Sequence, residues 1–100
     1  MKSIRYYIDK TELLERSAHL TGWAVSMNGS SVTIRVVCAG GEVDACVRRL
    51  SRPDASRAVF GDDRQPDCGF DVRFVCEKGK KYELIFADGG GDVYKRQRRR

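Results

Sequence analysis

The four cysteines are the first residues in this chain whose chemistry could define a site. A zinc site needs close ligand pairs such as Cys-x-x-Cys, and no two cysteines here have that spacing. Cys38 and Cys46 are expected on opposite faces of a hairpin, which excludes a bond between them. Cys68 and Cys76 would lie about 26 Å apart on one extended strand. The pattern predicts reduced thiols that fill apolar space, and disulfides between different hairpins remain the alternative.

The histidine, the acidic loop and the glycine run have simpler interpretations than catalysis. His19 lies near no nucleophile motif, so a structural or solvent-facing role is favoured over a general base. Asp62, Asp63 and Asp67 match no calcium-loop spacing, which favours solvated loop charge over a cation site. Glycines 89–91 lack the Lys-Ser/Thr that follows a phosphate-binding loop. The sequence therefore predicts no catalytic residue, no metal and no cofactor.

Trp23 is the residue whose surface could bind a ligand without catalysis. Exposed aromatic rings stack on sugar rings, so Trp23 could form a glycan platform with Tyr6, Tyr7 and Tyr94. A lone tryptophan in a small sandwich more often fills the core, and that is the preferred interpretation. Glycan contact through Trp23 and Tyr7 is kept as the alternative.

The net charge of +5 is concentrated in the C-terminal tail. Residues 92–100 hold five basic side chains and one acidic side chain, a net of +4, which leaves +1 for residues 1–91. A nearly neutral body lacks the basic stripe of a nucleic-acid-binding fold. The chain has no apolar run of membrane-spanning length and no secretory signal, which predicts a cytoplasmic location, at the inner face of the membrane if a parent protein places it there.

The tail itself has an unusual sequence. Residues 92–97 (DVYKRQ) resemble an in-frame translation of a transposon adapter used in sequencing libraries. On that interpretation residues 92–100 are an artefactual, disordered basic tail, and the domain covers residues 1–91. The alternative is a genuine basic arm that binds RNA or DNA by neutralising phosphates.

Alternation of apolar and polar residues with period two dominates the body and predicts strands with one buried face. The candidate strands are residues 3–9, 19–27, 31–38, 42–48, 68–76 and 81–87. Gly22 weakens the second of these or marks the close approach of another backbone. Residues 10–16 fit either a helical turn or a continued strand.

Two hairpins are predicted among these strands. A Gly40-Gly41 turn would pair Cys38 with Val43 and Val36 with Ala45, so that apolar residues face apolar residues. The last two candidate strands would pair through an odd-numbered loop around Gly79, because only that loop keeps their apolar positions on one face.

One segment, residues 52–61, is typical of a short helix. Pro53 suits the first helical position, Asp54 complements the helix dipole, and Gly61 can end the turn. About six or seven short strands with one helical turn near residues 53–60 predict an all-β fold, a small antiparallel β-sandwich. A partly open barrel is the nearest alternative.

Several short segments, taken in order, resemble a known family. They are residues 7–9 (YID), 20–24 (LTGWA), 52–54 (RPD), Phe60, 69–70 (GF) and 82–84 (YEL). They resemble the small β-sandwich domain that precedes the catalytic domain of many bacterial family-2 glycosyltransferases of cell-surface polysaccharide synthesis. The resemblance implies structural roles at crowded backbone (Gly22 and Gly69), in the core (Trp23 and Phe70) and at the helix start (Arg52, Pro53 and Asp54).

The resemblance implies a non-catalytic accessory or interaction module whose partner is a covalently attached glycosyltransferase domain absent from this chain. Neither a Rossmann-like βαβ pattern nor an Asp-x-Asp motif occurs in these residues, so the chain itself is not expected to be an enzyme. The alternative function is a glycan-binding β-sandwich module that uses surface aromatics. No nucleic acid and no membrane insertion are expected for either.

Overall fold

The computed structural model describes residues 3–39, 41–77 and 79–89 with their side chains, and residues 93–99 by their backbone alone. Within these residues, one short helix interrupts a series of strands. The elements are β1 (Ile4–Leu13), β2 (Ser17–Ser26), β3 (Val32–Cys38), β4 (Gly41–Val43), β5 (Ala45–Leu50), α1 (Pro53–Phe60), β6 (Gly69–Val75), β7 (Lys81–Asp88) and β8 (Val93–Arg99).

The strands form two antiparallel sheets that enclose a shared core. The first sheet has the order β1-β2-β6-β5, and the second has the order β4-β3-β7-β8. The inner faces of both sheets contribute to one apolar cluster. The small all-β sandwich predicted from the period-two alternation is therefore confirmed.

The centre of the core is formed by β6 and β7, which face each other from different sheets. Phe70 and Phe86 are fully buried with ring centroids 5.8 Å apart, and Phe74 lies 5.3 Å from Tyr82. Burying one such side chain stabilises the fold by about 1.5–3 kcal/mol. The buried members of this core are Ile4, Ala18, Leu20, Ala24, Val32, Ile34, Val36, Phe70, Val72, Phe74, Cys76, Tyr82, Leu84 and Phe86.

The first predicted hairpin is wrong in register and in length. Val43 pairs with Val36 rather than with Cys38, and Ala45 already belongs to the first sheet, where it pairs with Phe74. A shift of two positions leaves every side chain on its original face, so alternation cannot distinguish the two registers. The chain changes sheets at Asp44. Gly40, on which the predicted turn partly fell, lies outside the described residues.

The second predicted hairpin is also wrong, although the apolar faces were assigned correctly. β6 pairs with β2 and β5, whereas β7 pairs with β3. Two strands can bring their apolar faces together side by side in one sheet or opposite each other across a sandwich. The alternation is the same in both arrangements, and this chain adopts the second.

The predicted helix is confirmed. Pro53 is at the start of α1, and Gly61 ends it with φ +82°, donating its N–H to the carbonyl oxygen of Arg57 at 2.8 Å. A left-handed residue at this position favours glycine. Residues 10–16 contain no helix, since β1 continues to Leu13. Within the described part of the chain, no helix has the length and apolar character needed to cross a membrane.

The backbone of residues 93–99, for which disorder was expected, forms β8. It pairs antiparallel with β7, from Ala87 opposite Val93 to Lys81 opposite Arg99. The free edge of a strand offers a row of N–H and C=O groups to any extended segment, whatever its side chains. The resemblance of the tail to an adapter stays a prediction, and residues 90–92 and 100 lie outside the described ranges.

Candidate functional site

The outer face of the first sheet brings Tyr7 and Trp23 together. The two residues are directly opposite each other in the β1–β2 ladder, at the separation where same-face side chains interact. Tyr7 is 59% exposed, and Trp23 is partly buried. Tyr6 points inward and stacks on Phe86 at 4.8 Å, so it is not part of this surface. The side chain of Tyr94 is outside the described residues.

Trp23 packs beneath α1 rather than between the sheets. It belongs to a second apolar cluster built on Val25, Ala55 and Cys68, with Val59 and Phe60 at its margin. The prediction that Trp23 fills the sandwich core is therefore wrong. The reason is register: Gly22 and Ala24 face the core, so the residue between them must face outward.

Gly22 lies where two backbones approach closely. The β1–β2 register shifts between Ile8 and Lys10, which leaves Asp9 as the extra residue of a β-bulge. A Cβ atom on Gly22 would lie 2.1 Å from the carbonyl oxygen of Tyr7 and 3.0 Å from the Cα of Ile8. Only glycine fits opposite this bulge.

Arg52 connects the bulge to the start of α1. Its Nε and Nη2 atoms donate to the two carboxylate oxygens of Asp54, each at 3.1 Å, and its Nη1 donates to Asp9. The hydrogen bond from Arg52 is the main reason that the pKa of Asp54 is lowered, and the two carboxylates raise the pKa of Arg52. The Arg52 side chain also covers Gly69, where a Cβ would lie 2.5 Å from Arg52 Cγ. These contacts fix the guanidinium as a bridge between β1 and α1.

His19 lies in a row of charged side chains further along the same face. Its Nε2 atom is 3.0 Å from Asp71 Oδ2, and its Nδ1 is 3.9 Å from Glu12 Oε1. Nε2 is buried and its N–H is not aligned for a hydrogen bond within the described residues, so the contact with Asp71 is one of charge proximity. Burial acts to raise the pKa of Asp71, but His19 and Arg73 outweigh it and the pKa is lowered. The geometry places His19 beside the Asp71 carboxylate, and the contact is an ion pair only when the imidazole is protonated.

The cysteines are dispersed and have free thiols. Cys38 is partly buried, Cys46 is exposed, and Cys68 and Cys76 are buried. Burial raises the pKa of the Cys68 thiol, which keeps it protonated at neutral pH. Across the described ranges, no group of three histidine, cysteine or acidic side chains is arranged to hold a metal ion.

The acidic loop before β6 is largely neutralised by arginines. Asp63 accepts two hydrogen bonds from Arg57, and Asp62 accepts two from the guanidinium of Arg64. Sequence reasoning missed these pairs because it considered the aspartates as a set and not against the arginines beside them. Asp67 forms no such pair within the described residues and lines a cleft between the sheets.

An exposed apolar patch lies at the tip of the β1–β2 hairpin. Leu14 and Val75, here called the tip patch, are 56% and 70% exposed. Leu13 is 54% exposed but pairs with core-facing Ala18, so its side chain lies on the face of the sheet opposite to that of Val75. Val75 joins the hairpin because it pairs with Ser17 at the end of β6. Leu14 and Val75 border a depression of about 360 Å³. The leucine at the turn after β1 was the sequence signal for this patch, and the ambiguity of residues 10–16 concealed it.

Comparison with known proteins gives no match: no family model fits the chain, and neither a curated protein nor a solved structure is found to be similar.

Proposed function

We propose that this chain is a non-catalytic interaction module that docks on a covalently attached domain. Following the sequence resemblance, that domain is a bacterial glycosyltransferase of surface polysaccharide synthesis working on the cytoplasmic side of the membrane. The observation that carries the proposal is the tip patch, in which Leu14 and Val75 are both more than half exposed and border the same depression. Neighbouring exposed apolar side chains on a small domain are typical of protein–protein contact sites.

The backbone beneath the tip patch is held in place before any partner binds. The N–H of Leu14 donates to the carbonyl oxygen of Ser17 at 2.8 Å, which closes the hairpin. The N–H of Cys76 donates to the carbonyl oxygen of Arg16 at 2.9 Å, which connects the hairpin tip to the end of β6. A patch on a fixed backbone loses little conformational entropy on docking, which favours its use as an interface.

Hydrogen exchange tests the docking. The genomic reading frame that contains residues 1–91 is expressed as the complete parent protein, and its amide exchange is compared with that of the isolated chain. Docking is expected to slow exchange at Leu14 and Val75 in the parent protein, and to leave the exposed face of β3, around Thr33, unchanged. A parent carrying Leu14→Ser and Val75→Thr should lose the protection. Equal exchange in the parent and the isolated chain, or a reading frame without a transferase, would overturn the proposal.

Glycan binding is the second candidate, and the pairing of Tyr7 with Trp23 favours it. Two neighbouring aromatic rings on an outer sheet face form a surface on which a sugar can stack. Oligosaccharides are then expected to shift the emission of Trp23, with Tyr7→Ala abolishing the shift and Val75→Ala retaining it. Unchanged emission with oligosaccharide at about 10 mM would exclude useful affinity at this pair.

A further inference from the structure

A cleft opens between the two sheets at the end of the sandwich where β2 turns into β3. Its volume is about 340 Å³. Ala24 and Val32 form an apolar floor, since both are inner-face residues that are 2% exposed. Ser30 and Ser31 form one side, and the loop leading into β6 forms the other. We call this space the end cleft.

Arg49 supplies the cationic group of the end cleft. It pairs with Phe70 in the β5–β6 ladder, so its side chain extends from the core-facing side of the first sheet at an edge strand. Its guanidinium forms no ion pair or hydrogen bond within the described part of the chain, which leaves the guanidinium donors available. A guanidinium presents a planar fork that matches carboxylate and phosphate oxygens. Arg49 is thus positioned to bind an anionic group in the cleft.

Arg64 and Asp67 complete the charged lining. Arg64 is fixed by two hydrogen bonds to Asp62, each 2.9 Å long, and its guanidinium lies 5.0 Å from the centre of the Phe60 ring. Because Asp62 already compensates the charge of Arg64, Arg49 is the cation that a ligand would neutralise. Asp67 forms no hydrogen bond or ion pair within the described residues, so its carboxylate can accept hydrogen bonds from ligand hydroxyls.

From this lining we propose that the end cleft binds a sugar-sized anion, such as a sugar acid or a sugar phosphate. The anionic group lies on Arg49, the hydroxyls bond to Asp67 and to the hydroxyls of Ser30 and Ser31, and the carbon skeleton contacts the apolar floor. A simple anion would use Arg49 alone, and a neutral sugar would leave Arg49 unused. The cleft lies apart from the tip patch, so the inference does not depend on the proposed docking.

Nuclear magnetic resonance titration of the ¹⁵N-labelled chain tests the proposal. The probes are glucuronate, glucose 6-phosphate, glucose and inorganic phosphate, each up to about 10 mM. The two anionic sugars are expected to shift the amide resonances of Ser30, Ser31 and Arg49. The sugar that binds more tightly shows whether the cleft prefers carboxylate or phosphate. Glucose or inorganic phosphate binding as tightly as both anionic sugars would overturn the proposal, the latter showing an adventitious ion only. Shifts confined to other surfaces would overturn it as well.

Neighbouring arginines on one strand provide a matched pair of variants. Arg49→Gln removes the cleft cation and is expected to weaken anionic-sugar binding by about tenfold or more. Arg48→Gln removes the same charge from the outer face, opposite Asp71, and should leave affinity within about twofold. Asp67→Asn should weaken binding of both sugars and leave that of inorganic phosphate unchanged. Equal losses in the two arginine variants would show that only net charge matters and would refute the site.

Discussion

Replacing Gly22 with alanine should destabilise the fold more than its single added methyl group suggests. The new Cβ would lie 2.1 Å from the carbonyl oxygen of Tyr7, and real Cβ atoms essentially never come closer than 3.0 Å, so the backbones must separate by at least the difference of 0.9 Å. The same Cβ would lie 3.0 Å from Phe70 Cζ, in the core. The added methyl group therefore meets the β1 backbone on one side and a packed core ring on the other, and no side-chain rotation relieves both contacts.

The size of this destabilisation can be estimated from the contacts that must change. Moving β1 away from the bulge weakens about two ladder hydrogen bonds, each of which stabilises the fold by roughly 0.5–1.5 kcal/mol. Overpacking against Phe70 adds about 1 kcal/mol, at the low end for a crowded core. The free energy of unfolding should fall by about 2–4 kcal/mol, which lowers the Tm of a domain this size by about 10–25 °C.

Urea unfolding followed by the fluorescence of Trp23 measures this loss, because Trp23 is adjacent to Gly22 and changes environment when β1 separates from β2. Gly41→Ala is the matched control. Its Cβ would meet the carbonyl oxygen of Cys38 at 3.6 Å, an ordinary contact, so a change within about 0.5 kcal/mol is expected. If both variants unfold at the same urea concentration, the close approach at the bulge does not exist and the reasoning fails.

Three further perturbations test other parts of the molecule. The pKa of Asp71 is lowered, so its ionised form stabilises the fold above about pH 4, and that contribution is lost as the pH falls through the lowered pKa. The stability difference between wild type and Asp71→Asn should thus be present at pH 7 and disappear on acidification. A difference independent of pH would contradict a stabilising role for the contacts of this carboxylate with His19 and Arg73. Arg52→Lys removes the guanidinium that bridges the carboxylates of Asp9 and Asp54. Because Arg52 is partly exposed, the free energy of unfolding should fall by about 1 kcal/mol in chemical unfolding. An unchanged midpoint would show that the bridge contributes nothing. Leu84→Ala in the fully buried core should cost about 2–5 kcal/mol in the same assay, whereas Val75→Ala on the surface should cost little; similar losses would contradict the assignment of the core.

Much of the burial pattern could be predicted from the sequence, and the strand pairing could not. Alternation in β6 and β7 identifies which side chains avoid water, because a strand places neighbours on opposite faces. It does not identify which strand lies beside which. Val36 meets Val43 and Leu84 in the structure, and Ala45 would have satisfied the same apolar pattern. The decision depends on the path of the chain at Asp44, where no residue type signals a change of sheet.

The candidate sites differ in how much of each can be predicted from residues that are close together in the sequence. Pro53 and Gly61 delimit α1 by backbone conformation, which is a local property, and the helix was predicted correctly. The pairing of Arg52 with Asp9 joins residues from distant parts of the chain and depends on the bulge that turns Asp9 toward α1. The end cleft likewise requires Arg49 and the Ser30–Ser31 turn to meet between sheets, and no sequence window contains both.

The position of β6 between β2 and β5 has a consequence for how the nascent chain can fold. β2 and β5 do not pair with each other, so the first sheet has no centre until the ribosome has released Gly69–Val75. The second sheet likewise waits for β7, which is the partner of β3. Until then the emerging chain can form only local hairpins with uncovered apolar faces, and pairing over such distances is slow. Dividing the gene anywhere between Ser26 and Gly69 should therefore yield no half that folds alone.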